Sequence, residues 1–295
     1  MHFRSRGQKI FNVINYIVII AVCLTCFLPI LNTLAISFSA PSFVAAGDVY
    51  FWPKGFTTQS YEFAMSNGKF ARSFMVAVER CVLGVAINMF MMITTAYPLS
   101  KPKEKFGARN FFMAFYAFTM LFGGGLVPWF ILMNNLGLLN SIWALTLPLC
   151  VQVNNMVILM NFMRNLPGEI EEAASIDGAG SIRILVSVLL PILTPSLATV
   201  GLFCFVYHWN DWFQGALFMN NPNRYPLQTY LQTLLTNFRD LLRQSGSDYY
   251  SLLQRMNEQT GRASQLFLGL VPILVVYPFV QKYFTTGLVM GSVKG

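Results

Sequence analysis

The sequence predicts an all-α polytopic membrane protein with six transmembrane helices, and three observations predict it. Of the 295 residues, 55% are hydrophobic and only 11% are charged, whereas about a quarter of a soluble domain is charged. The apolar residues gather into six runs, each near the roughly 20 residues that cross a bilayer as a helix. The runs are continuous rather than alternating, which excludes a β-barrel, and backbone groups in lipid then require helices. Nothing between the runs is long enough for a large soluble domain, so residues 1–295 read as one transmembrane domain.

The first run, about 13–38, follows Arg4, Arg6 and Lys9 and contains Pro29. It is too long for the apolar region of a cleaved signal and reads as a span. Cys23 and Cys26 lie in it without a second pair, so core packing is expected there rather than metal or redox chemistry. Residues 39–72 form a polar and aromatic loop with Pro41, Gly47, Pro53 and Gly55. The second span, about 73–99, carries Glu79, Arg80 and Asn88. A basic loop with Lys101, Lys103, Lys105 and Arg109 follows. The third span, about 111–133, holds Gly123-Gly124-Gly125 and Pro128; the glycines allow close helix packing or a local bend.

A short neutral turn, 134–140, leads to the fourth span, about 141–163. The fifth, about 184–207, contains Pro191 and Pro195, and the sixth covers about 264–284. The stretch between them, about 210–262, is a helical insertion. Leu227, Tyr230, Leu231, Leu234, Leu235, Phe238, Leu241 and Leu242 recur there at helical spacing after Pro226, and Tyr249, Leu252, Leu253 and Met256 suggest a second amphipathic helix. It either offers a docking surface outside the membrane or packs on span ends of this chain or of a partner.

Charge sets the orientation. The net charge is +8, but the basic residues are not gathered into a nucleic-acid-binding face. They sit in the N-terminal arm, in the 101–109 loop and near Lys282 and Lys294, alternating with the 39–72, 134–140 and 210–262 segments. Positive loops mark the cytoplasmic side, so both termini and the 164–183 loop are expected in the cytoplasm, and the 210–262 insertion outside it. No phosphate-cradling Gly-x-x-x-x-Gly-Lys-Ser/Thr occurs, and His2 and His208, the only histidines, form no metal pair or protease triad. His208, at a span end, is expected to be a packing or interfacial residue.

Polar residues inside spans point to function by default. Gln152, Asn154 and Asn155 cluster in the fourth span, and Trp209, Asn210, Asp211 and Trp212 close the fifth. Together they can form a polar translocation path in which the tryptophans face sugar rings; alternatively they make interhelical hydrogen bonds, with the tryptophans in an interfacial belt. Glu79 and Arg80 point about 100° apart on a helix and are expected to pair with another helix.

The cytoplasmic 164–183 loop is short and acidic. Pro167 suits a first helical turn, and Glu169, Glu171 and Glu172 complement the positive end of the helix dipole. Ile170, Ala173 and Ala174 share one small face, Gly178 is a C-terminal stop, and Ser181 can cap a second helix leading into the bilayer. The expected element is an amphipathic helix at about 167–178.

Glu172-Ala173-Ala174, then three residues, Gly178, nine residues, and Val188-Leu189-Leu190-Pro191 resemble the EAA motif of ABC importer permeases, with Val188 where the family has Ile. Thr95–Ser100, Gly123–Pro128, Leu136–Asn140, His208–Trp212, Tyr225–Gln228 and Gln281–Phe284 are similar to segments of the maltose-type permeases and their polysaccharide branch. The resemblance covers most of the chain from residue 95 onward. It implies the type I importer permease fold and a multi-pass subunit of the bacterial inner membrane, one half of a heterodimeric pore. A second permease subunit, two ATP-binding subunits holding ATP and Mg, and an extracytoplasmic solute-binding protein are implied partners. This chain then binds no cofactor or metal and is no enzyme. The implied cargo is an oligosaccharide, with an acidic fragment such as an alginate oligosaccharide as one candidate; a peptide or amino-acid importer, an ATP-independent channel or secondary transporter, and a membrane-embedded enzyme are the other classes weighed. The resemblance makes the 167–178 helix the coupling helix, with Glu171, Glu172, Ala173, Ala174, Asp177, Gly178 and Pro191 as the coupling residues.

Gly178→Pro and Glu172→Lys are expected to uncouple transport while leaving membrane insertion intact. Normal uptake by either variant, at wild-type abundance in the membrane, would count against the coupling role.

Overall fold

The computed structural model describes residues 6–66, 68–233 and 258–292. These contain helices and turns and no strand. Leu234 to Leu242 of the first insertion pattern, Tyr249 to Met256 of the second, and Arg4 and Lys294 lie outside the described residues. Among the described residues, two helices are singly long and apolar enough to cross a membrane, or up to four if each of two bent helix pairs is one span. The chain divides into two compact units, residues 1–68 with 233–271 and residues 69–232 with 272–295.

In the first unit, α1 (Arg6–Ser37) is one uninterrupted helix. Its large apolar residues from Ile10 to Ile30 are all exposed, and so are Cys23 and Cys26. This corrects the expectation of core packing for the two cysteines, which are exposed among the described residues. Its last turns are instead wrapped by the 39–58 loop. Asn32 Nδ2 donates to the Tyr50 carbonyl at 2.7 Å, Ser39 Oγ accepts the Lys54 N–H at 3.0 Å, and Ala35 packs on Val44 and Val49. Phe38 stacks on Phe56 and on Tyr61 of α3 (Gln59–Ser66). Polar side chains here close backbone groups that a loop leaves open, which a buried turn requires.

The second unit is built around α4 (Lys69–Ser100). Ser73, Ala77, Arg80, Gly84, Asn88, Met92, Ala96 and Leu99 are buried on it at intervals of three and four, a single stripe of a 3.6-residue helix. Against this stripe pack α8 (Val153–Arg164) and α12 (Thr194–Asn210). The shared core joins Met92, Ala96 and Leu99 to Met156, Leu159, Met160, Met163, Val200 and Cys204. Lipid tails are as apolar as these side chains, so van der Waals contact rather than transfer from water holds the helices together.

The third, fourth and fifth apolar runs are not single regular helices. The third is split into α5 (Arg109–Leu121) and α6 (Leu126–Asn135), bent by 114°. Gly125 sits at the break with φ 86° and ψ 170°, a region open essentially to glycine. No heavy atom lies within 4 Å of a Cβ built at Gly123, Gly124 or Gly125. The triplet therefore serves the bend and not close packing. The fourth run is interrupted between α7 (Ile142–Thr146) and α8, with Pro148 in the gap.

The fifth begins with α10 (Ser181–Arg183), widens into a π-helix at Ile184–Leu189, passes through α11 (Leu190–Ile192), and bends by 85° into α12. Pro191 and Pro195 each lack an N–H and crowd the carbonyl four residues back, which breaks the regular ladder. The sixth run lies in the helix Glu258–Ser292, which contains Pro272 and Pro278.

Gly125→Ala should cost about 1–3 kcal/mol, because alanine is strained in that backbone region. Gly123→Ala, with free space and no positive φ, should stay within about 0.5 kcal/mol. Thermal unfolding of the two variants in detergent compares them directly.

Candidate functional site

The buried stripe of α4 carries three polar stations. At the first, Arg80 is fully buried. Its Nη1 donates to the Asp211 carbonyl at 2.8 Å, and Nη2 donates to Asp211 Oδ2 at 2.5 Å and to Gln214 Oε1 at 2.7 Å. Asp211 Oδ1 accepts the N–H groups of Phe213 and Gln214 at 3.0 and 3.3 Å, and so starts α13 (Phe213–Phe218). One carboxylate thus neutralises a buried guanidinium and caps a helix.

One turn further along α4, Gly84 leaves room for the His208 ring, which a Cβ at that position would overlap. One more turn on, Asn88 donates from Nδ2 to the carbonyls of Leu149 and Cys150 at 2.6 and 2.9 Å. Its Oδ1 lies 2.6 Å from His208 Nε2. Since Nδ2 already donates, Oδ1 accepts, and His208 holds its proton on Nε2.

Asn88 therefore satisfies two carbonyls of the break in the fourth run. Beside that break lies a cavity of about 590 Å³. Its polar lining residues are Tyr116, Thr119, Gln152, Asn154, Asn155 and Tyr207, the segment 148–151 also lines it, and none of the described lining residues is charged. Gln152 Oε1 accepts from Asn155 Nδ2 at 2.6 Å. Gln152 Nε2 is buried with no hydrogen-bond partner among the described residues.

The structure brings Gln152, Asn154 and Asn155 together at this cavity but not the aromatic and acidic residues that end the fifth run. Trp209 is buried between Phe74 and Phe205, edge-on to the first and stacked on the second. Asp211 is committed to Arg80, while Asn210 and Trp212 are exposed away from the cavity lining. Asp211 serves as the counter-ion that a charge buried at Arg80 needs. Glu79 is exposed and lines a separate cavity of about 290 Å³ with Ser141, Trp143 and Arg224.

The acidic loop forms α9 (Gly168–Ile176). Pro167 stands just before it rather than in its first turn, and Gly180 rather than Ser181 caps α10. Gly178, at φ 78°, donates to the Ser175 carbonyl at 3.0 Å, and Ala179 donates to that of Ala174 at 3.0 Å. This pair of bonds is the Schellman stop. Ala174 and Ala179 pack on the core, while Glu172, Ala173, Asp177 and Pro191 are exposed. Glu171 points inward and accepts from Lys101 Nζ, which also lies 4.2 Å from the centroid of the Tyr97 ring. Arg164 and Arg109 both donate to the Leu99 carbonyl, at 2.9 and 3.3 Å. Sequence reasoning missed these last contacts, because Lys101 and Arg109 registered only as loop charge.

No protein-family model matches the chain. Protein LplC of Bacillus subtilis (strain 168) is 36% identical over 295 residues, spanning 100% of this chain and 98% of that protein. The polygalacturonan/rhamnogalacturonan transport system permease protein YtcP of the same organism is 33% identical over 291 residues, 98% of this chain and 99% of that one. A chain in the crystal structure of a bacterial ABC transporter involved in the import of the acidic polysaccharide alginate superposes with a TM-score of 0.87. It is 28% identical and covers 96% of this chain and 100% of its own.

Asp211→Ala leaves the Arg80 guanidinium buried and unpaired, a change that costs about 3–5 kcal/mol. Asn210→Ala, at an exposed neighbour, should stay within about 0.5 kcal/mol. Thermal unfolding of the detergent-solubilised variants should separate them clearly.

Proposed function

Since this chain belongs to the ABC transporter permeases for sugar and polysaccharide uptake, we propose that it forms one half of the pore of an ATP-driven oligosaccharide importer in the bacterial inner membrane. Six spans with both termini in the cytoplasm place α9 where two ATP-binding subunits, holding ATP and Mg, can reach it. A second permease subunit completes the pore, and an extracytoplasmic solute-binding protein delivers the cargo. α9 is the coupling helix, with Glu172, Ala173 and Asp177 on its exposed side.

The observation that carries this reading is the cavity beside the break between α7 and α8. Non-helical backbone at membrane depth is tolerated only where protein buries it or where it lines a water-filled space. Here Asn88 ties down the carbonyls of Leu149 and Cys150, and the broken segment lines a mostly apolar cavity that carries several neutral polar side chains. Its neutral amides and hydroxyls suit the hydroxyl groups of a sugar, each able to donate and accept. Relatives that handle galacturonan and alginate make an acidic oligosaccharide one candidate cargo.

The test is ATPase stimulation in liposomes carrying the complete complex, with the solute-binding protein loaded from a panel of neutral and acidic oligosaccharides. One sugar class should stimulate. Asn155→Ala and Gln152→Ala should each raise the half-maximal concentration roughly tenfold, the scale of one lost hydrogen bond. A response to peptides or amino acids and to no sugar would overturn the carbohydrate reading.

A further inference from the structure

The two adjacent glutamates of the acidic loop face different surroundings. Glu172 is exposed, whereas Glu171 is held by Lys101, with the two paired side chains 20% and 14% exposed. Lys101 follows directly on the last residue of α4. Its ammonium lies over the Tyr97 ring, also on α4, a position that favours one rotamer of a long side chain. At the same place Arg164, the last residue of α8, and Arg109, the first of α5, both donate to the Leu99 carbonyl. Leu99 itself is buried in the core.

We infer that the Lys101–Glu171 pair is a strut that carries movement of α9 directly into α4, and that Glu171 is a positioning residue within the chain rather than a contact to a partner. This rests on the coupling role proposed for α9. Along the chain, α9 is joined to α8 by residues 165–167 on one side and continues into a π-helix and an 85° bend on the other. Neither link leads to α4, and the strut supplies that connection. It ends on the helix whose buried face packs against α8 and α12 and holds the broken fourth run through Asn88. A push on α9 therefore reaches the cavity wall through a single helix, α4.

The experiment measures solute uptake and ATP hydrolysis together in the reconstituted complex. Lys101→Met and Glu171→Gln should each lower the solute moved per ATP roughly tenfold, the scale of a lost charge-assisted contact. Combining Lys101→Glu with Glu171→Lys should recover at least half of the loss shown by either reversal alone. Full coupling in both neutral variants overturns the strut. So does a loss that the reversed pair does not recover, which assigns Glu171 to the ATP-binding subunit. Glu172→Lys, measured alongside, separates the two failures. If it uncouples while Lys101→Met does not, the strut alone falls. If it is fully coupled as well, the coupling role of α9 falls and the strut with it.

Discussion

The hydrogen bonds from Asn88 to the Leu149 and Cys150 carbonyls are the contacts on which the rest of the second unit depends. A run of apolar residues in lipid is most stable as an unbroken helix, because each unpaired backbone group there costs several kcal/mol. Breaking the fourth run is possible only because a polar side chain from another helix takes over part of the lost bonding. Asn88 is held in turn by His208, and the His208 ring fits only because residue 84 is glycine. A small residue, an amide and an imidazole on two helices thus permit an opening in a third.

The same helix is anchored at both ends by charge, in different ways. Near its start, Arg80 is wholly buried and matched by Asp211 and Gln214, so removing either charge leaves the other stranded. At its end, the Lys101–Glu171 pair is part-exposed and the guanidiniums of Arg109 and Arg164 meet a carbonyl rather than a carboxylate. The first junction is permanent architecture. The second is part-exposed, and its ion pair is correspondingly weaker.

The membrane changes what burial means for this chain. α1 exposes its apolar residues along most of its length, a surface that would be an aggregation hazard in water and is ordinary against lipid or a partner subunit. Helix pairing inside the second unit correspondingly relies on fit, with Gly84, Ala77 and Ala96 letting α4 approach its neighbours. The uncharged lining of the larger cavity follows the same logic, since an isolated charge there would need a counter-ion that the described lining does not supply.

The sequence by itself determined the helical class, the position of the apolar runs, and the acidic helix with its stop at Gly178. Each of these depends on composition or on the backbone freedom of a residue and its near neighbours, which are local properties. The amide cluster of the fourth run was legible for the same reason, as three polar residues close together in an apolar segment. Only the tertiary structure decided that Asp211 belongs to Arg80, that Trp209 lies between Phe74 and Phe205, that Glu171 turns inward while Glu172 does not, and that the fourth run is interrupted. Those outcomes turn on partners 131 and 70 residues away in the chain. Glycine and proline announced that the helices could break, but whether a break is stable depends on which distant side chain arrives to satisfy the exposed carbonyls.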